Sequence, residues 1–180
     1  MTRKLSFLFP LALSLAACGG TSGTEMITPA KASPDVVARV LAADPGAAAS
    51  VKNAKEDGPQ DRVVVHGRIC STVKGLAAFT LMDTALPYCG ETNKEDKCKT
   101  PWDYCCEKPE TRTANALNVE LCDADGRPLA TPALPDLRLL DEVKVVGKLT
   151  KDEHGNFTLT AEGVFRVARP EIPDYVRWPQ

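Results

Sequence analysis

The hydrophobic and polar residues of this chain follow a helical period near the N-terminal part and a strand period later on. The change of period separates a short helical segment from a β-rich part. Over 35–43, behind Ser33 and Pro34, apolar side chains recur at helical spacing, which predicts a short amphipathic helix. A second, weaker helix is expected over 50–55. From residue 62 onward apolar and polar residues alternate, which is typical of half-buried strands.

The alternating part predicts five strands, at 62–69, 78–82, 116–122, 142–149 and 157–167. Two of them contain an interior glycine, Gly67 and Gly147, where a closed sheet often needs a bulge or a sharp coil. Five strands with a long third-to-fourth connection favour an all-β fold, a five-stranded OB-like Greek-key barrel with a short N-terminal helix. A sandwich lacking two strands is the alternative. The expected inward residues are Val63, Val65, Ile69, Phe79, Leu81, Leu117, Val119, Leu121, Val143, Val145 and Leu149.

The segments outside the predicted strands differ in character. Segment 84–113, between the second and third strands, is polar and rich in cysteine and forms an insert in the barrel domain, 61–168. Segment 132–140 stands where an OB-fold often places a helix, but two prolines keep any helix there short. The Pro-rich ending, 169–180, is expected to pack on the barrel as an irregular strap.

The first seventeen residues have the pattern of a signal peptide. A basic start is followed by an apolar run that is too short to span a bilayer, and Leu15-Ala-Ala-Cys18 matches a bacterial lipobox. In such signals Cys18 is lipidated and becomes the first residue; an ordinary secretory cleavage before a cysteine is the alternative. We therefore expect a lipid-anchored protein of the cell envelope, outside the cytoplasm. Residues 18–33 are the lipidated cysteine and a flexible tether about 20 Å long on average, and 34–60 is a short helical segment.

Charge and compartment narrow the class of partner. The formal net charge is −2, and loss of the signal removes Arg3 and Lys4 but no acidic residue. A mildly acidic exported protein is a poor candidate for nucleic-acid binding. The expected partners are the membrane, through the lipid, and an envelope protein or glycan.

Six cysteines remain after Cys18 is set aside, and an even number in an exported protein favours disulfides. Cys89, Cys98, Cys105 and Cys106 lie in the insert. Adjacent cysteines rarely bond each other, so Cys105 and Cys106 are each expected to pair with Cys89 or Cys98. The remaining two, Cys70 and Cys122, end strands on one side of the predicted barrel and are expected to bond to each other.

The alternative for the insert is a metal site. Four thiolates in a compact loop can surround Zn²⁺ or iron, with Asp103 or Glu107 as substitutes for a sulfur ligand. The spacing lacks paired Cys-x-x-Cys knuckles, and an oxidising compartment disfavours free thiolates. No cofactor is expected if the disulfides form, and zinc or iron is expected if they do not.

Two resemblances bear on the fold. Segment 134–149, with Pro173-Asp-Tyr175, resembles the second half of the periplasmic haem chaperone of cytochrome c maturation, an OB-fold family. That family attaches haem through a histidine after its last strand, where this chain has Arg166-Val-Ala-Arg-Pro170. The resemblance therefore implies the fold without the haem function.

A closer likeness is carried by Cys98-Lys-Thr-Pro-Trp-Asp-Tyr-Cys-Cys-Glu107, which resembles small exported lipoproteins of planctomycete-type bacteria. The match covers roughly 63–166 and brings no activity with it. In that family pattern the four insert cysteines recur, whereas Cys70 and Cys122 look like additions of this chain.

Two further groups of side chains are candidates for ligand contact. Trp102 and Tyr104 flank Asp103 and are interpreted as an exposed aromatic platform or as the insert's own small core. Arg62, His66 and Arg68 share one strand face, which binds an anion or is simply solvated.

No catalytic motif of a hydrolase, a phosphate-binding loop or a zinc peptidase occurs in the sequence. Asp123-Ala-Asp-Gly126 begins like a calcium loop but lacks the acids that should follow, so it predicts a β-turn. The leading hypothesis is a non-catalytic binding or assembly module of the envelope. The alternative is a metal-binding or redox-active lipoprotein that uses the insert cysteines.

Overall fold

The protein is described by a computed structural model that covers residues 31–93 and 95–177 of the 180-residue chain. The expected signal peptide and Cys18 lie outside these residues, as does Trp178. Within the described ranges, no helix has both the length and the apolar character needed to cross a bilayer.

Six strands and a few short helices make up the described chain. The helices are α1 (Pro34–Val37), α2 (Val51–Asp57), a single 3-10 turn (Pro101–Asp103) and α3 (Pro109–Asn115). The strands are β1 (Ala49–Ser50), β2 (Gln60–Thr72), β3 (Ala78–Met82), β4 (Ala116–Glu120), β5 (Glu142–Lys151) and β6 (Phe157–Ala168).

The five long strands close into a barrel. Their order is β2-β3-β4-β6-β5, and β5 pairs back with β2. The pairs are antiparallel except for β4 and β6, which run parallel, while β1 adds a short parallel edge to β2. The expected all-β, OB-like barrel is thus confirmed, and the sandwich alternative is excluded by the β2–β5 pairing.

The barrel interior is filled by the alternate residues that the sequence pattern selects. Every expected inward residue is buried except Val63, which is half-buried against the core. Val36, on α1, is fully buried and packs in the same core. The five strands therefore owe their register to one apolar face, because a slip by one residue would expose it.

Gly147 allows two strands of the barrel to approach closely. A Cβ atom built there would lie 2.1 Å from the backbone oxygen of Thr160. The pairing of β5 with β6 also changes register between Val146 and Gly147, which confirms the expected irregularity. A residue without a side chain is required where the strand coils this tightly.

The first predicted helix is wrong beyond its first turn. The structure ends α1 at Val37, and the backbone of 39–41 then follows β6 instead. Leu41 donates its N–H to the carbonyl of Val164, and Val164 donates to Arg39. The physical reason is that β4 pairs with β6 only as far as Thr160. Beyond that residue the backbone groups on this edge of β6 need other partners, which a helix could not supply. The second helix is confirmed, and Ser50 caps it by accepting from the N–H of Asn53.

Two other segments differ from expectation. The connection 132–140 contains turns and no helix. Conversely, α3 lies inside the insert, where no helix was predicted, and Pro109 occupies its first turn. Proline is well suited to that position because its missing N–H would have no helical partner there.

We predict that Gly147→Ala destabilises the protein by about 2–3 kcal/mol, since the added methyl group meets backbone that must shift. Gly163→Ala is the matched comparison and should cost less, because the nearest atoms to its Cβ, at 2.6–3.1 Å, belong to the side chain of Leu41, which shifts more easily than strand backbone. Denaturant unfolding followed by circular dichroism measures both. Equal losses in the two variants would contradict the close approach at Gly147.

Candidate functional site

The insert brings three thiols to one point. The Sγ atom of Cys89 lies 3.7 Å from that of Cys105 and 3.9 Å from that of Cys106. All three sulfurs lie within 4.8 Å of one another, and we call them the thiol cluster. Among the described residues, no carboxylate lies in this group of potential metal ligands. Neither Asp103 nor Glu107 therefore takes the place of a sulfur.

Local backbone geometry explains how two adjacent cysteines both face Cys89. The 3-10 turn ends at Tyr104, whose φ of 48° is left-handed and reverses the chain just before Cys105. On the other side, Cys89 donates its N–H to the carbonyl of Pro101 at 3.3 Å, which joins the two ends of the loop. The left-handed residue therefore aims the pair of cysteines back across the loop.

Cys98 lies beside the cluster without belonging to it. Its thiol interacts with that of Cys105, and its backbone N–H is held by the carboxylate of Asp96 at 3.0 Å. The four insert cysteines are therefore neighbours, as the sequence predicts. All six cysteines of the described chain are free thiols in the structure.

The three cluster thiols differ in acidity. Burial alone would raise the pKa of Cys89, but the backbone N–H of Cys106 donates to its sulfur and the thiols of Cys105 and Cys106 form hydrogen bonds with it, and the net effect lowers that pKa. Cys105 has a pKa raised to about 12, chiefly by its hydrogen bond to Cys89. The pKa of Cys106 is raised for the same reason. Cys89 is thus the most acidic of the three cluster thiols.

The predicted Cys70–Cys122 bond is not formed. Strand β2 continues to Thr72, so Cys70 does not end a strand; it lies near Tyr104 and Asp103. Cys122 follows β4, next to Glu120, and its carbonyl accepts from Arg39. The strand register explains the separation. Through β3, the neighbour of Cys70 on β2, Ile69, is level with Leu117 near the start of β4, whereas Cys122 comes after the end of that strand.

The aromatic side chains of the insert are not an exposed platform. Trp102 is 6% exposed and Tyr104 is 1% exposed, whereas Asp103 between them faces solvent. The other interpretation of these residues therefore holds: both rings pack inward, and Trp102 joins the barrel core. An insert with little apolar content of its own gains stability by burying these two rings.

Arg68 holds the insert on the barrel. Its guanidinium binds both carboxylate oxygens of Glu91, at 2.8 and 3.2 Å, and Glu142 at 3.1 Å. It also donates to the carbonyl of Leu86 and lies over the ring of Tyr88. Burial opposes the charge of Arg68, but Glu91, Tyr104 and Glu142 outweigh it, so its pKa is raised.

The expected solvated face on β2 is therefore wrong at Arg68, because the insert covers that part of the strand. Arg62 remains exposed and pairs with Glu162. His66 is partly covered, and its Nε2 lies 3.6 Å from a carboxylate oxygen of Glu142. No local pattern predicts this burial, since both Glu91 and Glu142 are remote from Arg68 along the chain.

The C-terminal strap packs on the insert as well as on the barrel. Arg177 donates its N–H to the carbonyl of Lys99 at 2.9 Å, and the hydroxyl of Tyr175 donates to Asp96 at 3.1 Å. Val176 is buried in the core. A cavity of about 140 Å³ remains between the strap and the loop carrying Cys89 and Cys98. Sequence reasoning missed this contact of the strap with the thiol-bearing loop.

Comparison with known proteins yields little. No protein-family model matches the chain. No curated protein matches it either. Among solved structures, the hypothetical protein ygiW from E. coli is similar over 69% of this chain and 94% of its own, with 13% identity and a TM-score of 0.35. The OB-like assignment depends on the strand order described above and not on this similarity.

We predict that Arg68→Met destabilises the protein by about 2–3 kcal/mol, because it leaves two half-buried carboxylates without their partner. It should also accelerate trypsin cleavage at Lys97 and Lys99 in the insert. The matched control is Arg62→Met, which breaks a solvent-exposed ion pair and should cost less than about 0.5 kcal/mol. An insert that stays equally resistant to trypsin in Arg68→Met would contradict the anchoring role.

Proposed function

We propose that this protein is a lipid-anchored module of the cell envelope that binds a thiophilic metal ion through its insert. The single observation that carries the proposal is the convergence of the Cys89, Cys105 and Cys106 sulfurs on one point. The metal would be held by these three thiolates, with Cys98 beside them as the candidate fourth ligand.

The distances favour a shared ligand over a disulfide. In a tetrahedral zinc site with Zn–S bonds of about 2.3 Å, neighbouring sulfurs lie about 3.8 Å apart. The two separations from Cys89, 3.7 and 3.9 Å, agree with that value. A disulfide joins two sulfurs at about 2.05 Å and would select one of these neighbours over the other. Here both lie at nearly the same distance.

The chemistry of the donors indicates the class of metal. A set made only of thiolates suits Zn²⁺, Fe²⁺ or Cu⁺, whereas Mg²⁺ and Ca²⁺ require oxygen ligands. Cys89 is buried, while Cys105 and Cys106 are exposed. A metal held there stays accessible from solvent, which favours exchange with small thiols or other proteins over a purely structural role.

Envelope location is proposed from the lipobox ending at Cys18, which lies outside the described residues. Partner recognition through an exposed Trp102 and Tyr104 is not part of the proposal, since both rings are buried. Of the expected partners, an envelope protein or a glycan, the metal site favours an envelope protein that donates or receives the metal.

The metal site is tested with the full-length protein purified under anaerobic conditions. We expect one Zn²⁺ or Cd²⁺ per chain, with a thiolate-to-metal charge-transfer band for Cd²⁺. Each of Cys89→Ser, Cys105→Ser and Cys106→Ser should weaken binding at least tenfold. Cys122→Ser, which removes a thiol outside the cluster, should leave the stoichiometry unchanged.

The opposing result is equally definite. Peptide mapping of protein taken directly from the envelope, without reductant, would show Cys89 bonded to Cys105 or Cys106. Together with a count of no free insert thiols, that result would overturn the metal proposal. It would establish instead a stapled insert without a metal.

The lipid anchor is tested separately. In a bacterium that processes lipoproteins, the parent protein should fractionate with membranes, and its N-terminal peptide should carry the mass of acyl chains on Cys18. Cys18→Ala should lose both properties because no thiol is left to modify. A parent protein recovered entirely in the soluble fraction would refute the anchor while leaving the metal proposal intact.

A further inference from the structure

Six large apolar side chains are exposed in the described part of the chain; three of them lie at one end of the barrel, and the other three are Val40, Val167 and Tyr175. Val37 on α1 is 50% exposed, and Val73 and Leu76 in the β2–β3 turn are 49% and 37% exposed. Between them the turn carries Lys74 and Gly75, and no acidic residue occurs from Ser71 to Thr80. We call Val37, Val73 and Leu76 the apolar end.

Three hydrogen bonds join the two elements that carry the apolar end. Val37 donates its N–H to the carbonyl of Ser33, and Ser33 donates to the hydroxyl of Thr131 at 3.0 Å. Thr131 in turn donates its N–H to the carbonyl of Gly75, also at 3.0 Å. The start of α1 is therefore fixed beside the β2–β3 turn.

Ser33 is also the last residue of the expected tether. The chain that leads back to Cys18 thus leaves the domain at the apolar end. If Cys18 carries lipid, as the proposed function states, a tether of about 20 Å brings this end of the barrel close to the bilayer.

The geometry points to direct contact between the apolar end and the lipid surface, with Val37, Val73 and Leu76 entering the interface and Lys74 facing the headgroups. Exposed valine and leucine gain from leaving water at such an interface, and a lysine on a flexible stem suits the headgroup layer. This contact would fix the orientation of the barrel relative to the bilayer, which a flexible lipid tether alone would leave free. This inference rests on the proposed lipid anchor.

The test uses full-length protein, produced in a lipoprotein-processing bacterium and reconstituted into phosphatidylcholine vesicles that contain brominated lipid. We expect the fluorescence of Val73→Trp to be quenched at least twofold more than that of His154→Trp, after subtraction of the parent signal. His154 is the matched control, because it occupies the exposed β5–β6 turn and the strand directions place that turn at the opposite end of the barrel. Leu76→Trp should repeat the result for Val73→Trp.

Vesicle flotation separates the two proposals. Protein that floats while Val73→Trp and Leu76→Trp are quenched no more than His154→Trp would overturn the contact and leave the anchor standing. Protein that does not float would overturn both. Each substituted residue is exposed in a turn, and thermal unfolding by circular dichroism checks that the three variants fold like the parent.

Discussion

Arg68 stands where three separate parts of the chain meet: strand β2, the start of β5 and the insert. Its guanidinium is 6% exposed and binds Glu91, Glu142 and the carbonyl of Leu86. A buried cation without these partners would be strongly unfavourable, so the insert and the charge stabilise each other. The ion pairs give the insert a defined place on the barrel, in addition to the burial of Trp102 in the core.

The position of the thiols depends on this attachment. Glu91 follows Cys89 by two residues, and Tyr104 immediately precedes Cys105. Because Arg68 holds Glu91 and faces Tyr104, the two sides of the loop are fixed against the same group. The left-handed backbone of Tyr104 then turns Cys105 and Cys106 toward Cys89. Without these contacts, a polar loop of this length would have few interactions to hold three sulfurs together.

The sequence predicts the barrel well because its strands obey a local rule. Alternation identified all five strands, and β3 occurs at the expected residues, since one face of each strand must be buried. The insert is different, because its structure depends on partners distant along the chain. Arg68 looks like a surface residue until Glu91 covers it, and the predicted Cys70–Cys122 pair failed because strand register cannot be obtained from spacing. The sequence predicted the four insert cysteines as one set, but not that three of them converge while Cys98 lies beside them.

The cluster also limits which cross-link can close the insert. One disulfide would use two of three converging sulfurs and leave the third beside it as a free thiol. Two disulfides would need Cys98, which lies outside the 4.8 Å group, although it interacts with Cys105. A metal ion would use all three sulfurs at once, and the two separations from Cys89, 3.7 and 3.9 Å, already suit a tetrahedral zinc site. Since the thiols of Cys105 and Cys106 both already form hydrogen bonds with Cys89, a cation that displaced the thiol protons would meet sulfurs that are already neighbours.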